Sequence, residues 1–230
     1  MLGLYNWWED VAPEADTLEI SVEMGSSGEA YTYGLRRTSE KALNATVGLE
    51  LRALQSGYGN DSSLAHELTH IICGSSFSRS LEDGLCDYVQ YRVGMQRYIW
   101  EARPDWRVAE VMKLQFPYYQ RRASVSNEKI EEVKETVGQA QGYAYGNTPT
   151  GSLWYVYSQC FVEYLVETYG MEKTLHLIRL GEDEGAYKEY LGKPFEEVKA
   201  DWYTWLEALE PSMTIEELNE VERDYLANYK

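Results

Sequence analysis

The apolar residues of this chain change their spacing near residue 60, and that change limits the folds open to it. Before it, Thr17 to Met24 alternates and is rich in β-branched side chains, Gly25-Ser-Ser-Gly28 offers a turn, and Ala30 to Gly34 and Asn44 to Leu51 continue the pattern. From Ser62 onward the spacing becomes helical, starting with Leu64, Leu68, Ile71 and Ile72 behind a capping residue at Asp61 or Ser62. Further helices are predicted at about 80–100, 106–122, 127–139, 152–169, 171–180 and 194–209, with Gly170 as a stop and Pro194 in a first turn. Thr214 and Glu217 form a capping-box pair that opens a last helix through Ala227. Gly142 to Gly151 holds three glycines and a proline and is predicted as a mobile loop. The expected fold is α+β: a small twisted sheet followed by helices. One domain is expected over 1–210, sheet-rich over 1–60 and helical over 61–210, with a helical tail at 211–230.

With 230 residues, 44% of them hydrophobic, the chain can bury a core without added staples. Its formal net charge of -17 argues against nucleic acid and anionic membranes, because binding phosphate needs clustered Lys and Arg. No apolar run approaches the length of a bilayer, and Met1 to Ile20 is interrupted by Glu9, Asp10, Pro13, Glu14 and Asp16, so neither a signal peptide nor an anchor is expected. Cytoplasm and exterior both stay open as compartments. Three cysteines, Cys73, Cys86 and Cys160, cannot all pair within the chain, which excludes a disulfide scaffold and leaves a Cys73–Cys86 bridge open.

The segment His66-Glu-Leu-Thr-His70 carries the chemistry. Residues four apart lie on one face of a helix with Cβ atoms about 5–6 Å apart, close enough for two imidazoles to bind one ion. Glu67 beside them can reach a water as a general base without binding the metal. The apolar residues 64, 68, 71 and 72 fall on another face, so the helix can be buried while showing both histidines to a cleft. Cys73 shares the histidine face, as a ligand or as small buried filler. Zinc needs a third protein ligand, and the next segment offers one. Leu81, Leu85 and Val89 form a core face, which leaves Asp83 and Asp87 projecting together from another. Asp83 is the expected ligand and Asp87 the carboxylate that steadies the ring of His66. Gly84 is expected to let the two helices approach closely.

The pattern from His66 to His70, followed by Glu82-Asp-Gly-Leu-Cys-Asp-Tyr88, resembles the gluzincin peptidases of the peptidase MA-like superfamily, which include thermolysin and the aminopeptidase N group. It also resembles the basic secretory proteins, whose Glu-Gly-Ile-Ala-Asp-Tyr-Val segment is similar to Asp83 to Val89. The chain departs from these families at one residue: Asp83 stands where they carry Glu, one methylene longer, so either the second helix lies closer, or Glu82 supplies the ligand, or zinc binding is weakened. Tyr155 to Gly170 is similar to the helix after the catalytic tyrosine of the aminopeptidase branch, which puts Tyr155 at the oxyanion, with Tyr157, Tyr145 and Tyr143 as alternatives. The resemblance implies a zincin-like fold, one zinc ion, and hydrolysis of a peptide or protein substrate by a monomer, with Glu67 as base. A catalytically impaired, zinc-containing binding module is the alternative. A strand at Ala30 to Gly34 or Asn44 to Leu51 is expected to offer a sheet edge to the substrate backbone.

Overall fold

A computed structural model describes residues 17–25, 31–37, 42–50, 60–93, 103, 106–140 and 149–228. Three strands come first: β1 (Thr17–Gly25), β2 (Tyr31–Arg37) and β3 (Ala42–Glu50), in the sheet order β1-β3-β2. β1 runs parallel to β3 with Ile20 opposite Ala45, and β2 runs antiparallel with Thr32 opposite Val47. Ala45 and Val47 are buried on β3, while Glu19, Ile20, Ser21 and Glu23 of β1 are exposed. The order corrects one expectation. β3, which holds most of the 44–51 segment, is paired on both sides, so only β1 and β2 present edges.

Eight α-helices follow among the described residues: α1 (Asn60–Cys73), α2 (Arg79–Val93), α3 (Val108–Ala123), α4 (Asn127–Thr136), α5 (Pro149–Tyr169), α6 (Met171–Leu180), α7 (Phe195–Ala208) and α8 (Ile215–Asn228). The fold is thus a helical body with a small sheet, in the α+β class. α1 links the two parts. Its residues Leu64, Leu68 and Ile71 pack on Ala45 and Val47 of the sheet, while Ile72 and Cys73 join the main helical core. Helix α5 is the centre of that core, buried nearly all round from Leu153 to Leu165 and contacted by α2, α3, α4, α6 and α7.

Several boundaries differ from those predicted by spacing. α5 starts at Pro149, so Pro149 to Gly151, expected in a loop, are its first turn; residues 142–148 lie outside the described residues, as do residues 94–100. α4 ends at Thr136 because Gly138 takes a φ of 86° and its neighbours Phe161, Phe195 and the Tyr187 hydroxyl would lie within 2.8 Å of an added Cβ. A π-helical turn, Tyr187–Leu191, has no signal in apolar spacing. Thr214 and Glu217 do form the expected capping box, with the Thr214 N–H on Glu217 at 2.7 Å and the Glu217 N–H on Thr214 at 3.2 Å. The three cysteines are free and buried, so Cys73 and Cys86 do not form a bridge. Among the described residues no helix is long and apolar enough to cross a membrane.

Gly84 permits a close approach, but of α2 to α5 and not to α1. A Cβ there would stand 2.5 Å from the Ser158 carbonyl oxygen, so the helices would have to separate. Gly84→Ala is expected to destabilise the protein by about 1–3 kcal/mol through overpacking, read as a lower denaturation midpoint. An unchanged midpoint would show that α2 is not held by this contact.

Buried charges close the ends of several helices. Glu163, on α5, accepts the Val108 and Ala109 N–H groups at 2.9 and 2.5 Å, where α3 begins without a side-chain cap of its own. Lys199, on α7, donates to the Lys134 and Val137 carbonyls at 2.5 Å each, just where α4 ends. Lys113, on α3, donates to the Leu206 and Glu207 carbonyls at 3.3 Å and to that of Leu209, at the end of α7. In its ionised form each group complements the sign of the helix terminus it meets, and burial works against that form in two of them, pushing Glu163 up to about 7 and Lys199 down to about 7.

Candidate metal centre

The candidate site forms where α1 crosses α2. On α1, His66 and His70 project one turn apart, and their Nε2 atoms lie 3.2 Å from each other. On α2, Asp83 presents Oδ1 at 3.3 Å from the His70 Nε2 and 3.8 Å from the His66 Nε2. Four ligands in a tetrahedron with bonds of 2.0–2.1 Å lie about 3.3 Å from one another, so these three atoms already span one face of a zinc site. The short side chain of Asp83 reaches because α2 lies close to α1.

Every donor atom has a partner behind it. His66 Nδ1 donates to Asp87 at 2.8 Å and His70 Nδ1 donates to Glu82 at 2.9 Å. A carboxylate only accepts, so both rings carry a proton on Nδ1 and turn Nε2 inward. Arg79 holds the carboxylates in turn, with Nη1 on Glu82 at 2.9 Å and Nε on the outer oxygen of Asp83 at 2.8 Å. The Ser76 N–H adds a bond to Glu82 at 3.1 Å. Glu82, a rival for the third ligand in the sequence, thus faces the outer nitrogen of His70, and Asp83 faces the inner ones.

Three potential ligand atoms, the two Nε2 nitrogens and the Asp83 Oδ1, therefore converge. Asp83 is 1% exposed, and neither of its oxygens makes a well-directed hydrogen bond, the contact of Oδ2 with Arg79 being an ion pair. Such a buried acceptor is costly unless a cation sits against it. The electrostatics report the same demand. Burial disfavours charge on His66, yet Asp83 and Asp87 outweigh it and pull the ring up to about 10; His70 is raised in the same way by Asp83 and Glu82. Burial pushes Asp83 upward, and the two imidazoles with Arg79 bring it down to about 2. Without a metal the imidazoles themselves carry the positive charge; a zinc ion would take the place of their inner protons, leaving two imidazoles and a carboxylate as its donor set.

Glu67 is buried on α1, and its charge is close enough to raise the pKa of His66. Tyr155 is half-buried on α5, with its ring edge-on to Trp154 at 5.2 Å and its hydroxyl within electrostatic range of Arg79. Tyr157 packs in the core between Phe116 and Trp202, while Tyr143 and Tyr145 lie outside the described residues. Cys73 is a core residue. Cys86, to which the sequence pattern assigns no metal role, lies three residues after Asp83 on the face turned to α1. Its sulfur lies within 4.8 Å of a nitrogen of each histidine, which makes it a second candidate ligand.

The sequence matches no family model, no curated protein and no solved structure. The functional reading therefore rests on the residues and their arrangement.

Proposed function

We propose that this chain is a zinc-dependent metallopeptidase of the gluzincin kind, with a zincin-like fold. The observation that supports this most directly is the convergence of two inward imidazole Nε2 atoms and a buried carboxylate oxygen, with a Glu on the same helix as the imidazoles. His66, His70 and Asp83 would hold one zinc ion, which supplies Lewis-acid polarisation of a carbonyl and a more acidic water. Glu67 takes the proton from the attacking water and delivers it to the departing amine nitrogen. Tyr155 donates a hydrogen bond to the oxygen on which negative charge develops. Asp87 and Glu82 keep both imidazoles in the tautomer that points Nε2 at the ion. β1 or β2, each with one free edge in the described sheet, aligns an extended peptide.

The test is metal content and turnover of the full chain on an unspecific peptide library. Zinc near one equivalent is expected, with cleavage that a chelator abolishes and added zinc restores. Zinc at that level with no cleavage under any condition would overturn the enzyme reading. It would favour the alternative, a peptidase-like module whose zinc is structural, for which the replacement of Glu by Asp at residue 83 is the specific argument.

A further inference from the structure

We propose that Cys86 is a ligand of the same metal, as a thiolate, so that the resting site has four protein donors: His66, His70, Asp83 and Cys86. This rests on the metal reading above and adds a soft donor to it. Asp83, Cys86 and Asp87 follow one another at three- and four-residue spacing from Asp83 and share the face of α2 that looks at α1. Asp83 and Asp87 both contact the histidines there, so Cys86 lies between two groups already in the site.

Cys86 is buried beside polar as well as apolar neighbours, with Asp83, Asp87 and Glu82 near enough to act on its thiol. Cys73 and Cys160 belong to the main hydrophobic core, whereas Cys86, only 1% exposed, belongs to neither apolar cluster of the described residues. Its sulfur instead lies within 4.8 Å of both imidazoles. In a tetrahedral site with a zinc–sulfur bond of 2.3 Å, sulfur and nitrogen lie about 3.6 Å apart, so the sulfur has roughly an ångström to close at most.

Binding is balanced as an exchange: the thiol loses its proton to solvent, and the sulfur lone pair takes its place on the ion. Two neutral imidazoles, one carboxylate and one thiolate carry a charge of about -2, which neutralises a dication. The thiolate also narrows the choice of metal, away from magnesium and calcium and toward zinc or cobalt. Four protein donors leave no open position for water, so hydrolysis at this site requires the Cys86 thiolate to leave the ion before water binds; a thiolate that stays bound favours the structural-zinc alternative.

Cobalt(II) titration of the full chain, followed by absorbance, tests the assignment. The expected result is visible bands of low coordination number together with an intense near-ultraviolet sulfur-to-cobalt charge-transfer band. Cys86→Ala and Cys86→Ser are expected to keep the visible bands and lose the near-ultraviolet one, while Cys73→Ala keeps both. Cobalt bound to the wild-type chain without the charge-transfer band, or with a band that survives Cys86→Ala, would overturn the role of Cys86 and leave the His66, His70 and Asp83 reading standing. No binding of cobalt or zinc by the wild-type chain would overturn both.

Discussion

Replacing Glu67 by glutamine is expected to leave the protein folded and fully loaded with zinc while peptide hydrolysis falls by about 10²- to 10⁴-fold, the usual contribution of a positioned general base. The amide has nearly the size of the carboxylate, so the packing of this buried residue on α1 is preserved. What disappears is the basic oxygen that accepts a proton. Glu67 lies beside His66 in sequence but is not among the groups that converge on the ion, so metal content should not follow activity. Loss of zinc in Glu67→Gln would make it a ligand, and undiminished turnover would remove it from the reaction.

Asp83→Ala is expected to have the largest effect on metal affinity, a loss beyond about 100-fold, because it deletes one of the inward donors. Glu82→Ala and Asp87→Asn should each cost about 10- to 100-fold, the range for carboxylates that orient a ligand without touching the metal. For Asp87 the physical reason is the 2.8 Å bond to His66 Nδ1, and for Glu82 the 2.9 Å bond to His70 Nδ1. Asp83→Glu tests the departure from the resembled family: with Oδ1 already 3.3 Å from the His70 Nε2, an extra methylene crowds the ion and affinity should fall. Zinc titrations with a competing chelator measure all four. A severe Glu82→Ala with a mild Asp83→Ala would transfer the ligand role to Glu82, and a gain in Asp83→Glu would mean that α2 lies too far away in the metal-bound protein.

The parts of this site that depend on a single helix are legible in the sequence. His66 with His70 and Asp83 with Asp87 are each four residues apart, and helical geometry alone puts such pairs on one face. The position of Glu82 is not legible there. It and its neighbour Asp83 differ by about 100° around the axis, and which of them meets the inner nitrogens depends on how α1 and α2 cross. No local pattern encodes that crossing, nor the seating of α2 on α5, where Gly84 meets Ser158 from 74 positions away. Cys86 does carry a signal, its three-residue spacing from Asp83, but a cysteine in a chain with three reads first as a disulfide partner or as filler. The strands are visible as alternation, while their order β1-β3-β2 is not, because pairing across a sheet is a choice among distant partners.

The charged groups that close the helix ends tie unfolding of one segment to that of another. Glu163 meets the start of α3 across 54 to 55 residues, Lys199 the end of α4 across 62 to 65, and Lys113 the end of α7 across 93 to 96. If α7 detaches, the carbonyls at the end of α4 lose Lys199, and Lys113 on α3 loses its acceptors. Neither helix can fray alone at little cost, so opening of α3, α4, α5 and α7 should be collective. Amide hydrogens of these four helices would then exchange with solvent in one common event, at a free energy near that of global unfolding, while the three-stranded sheet, outside this linkage, exchanges by smaller openings of its own.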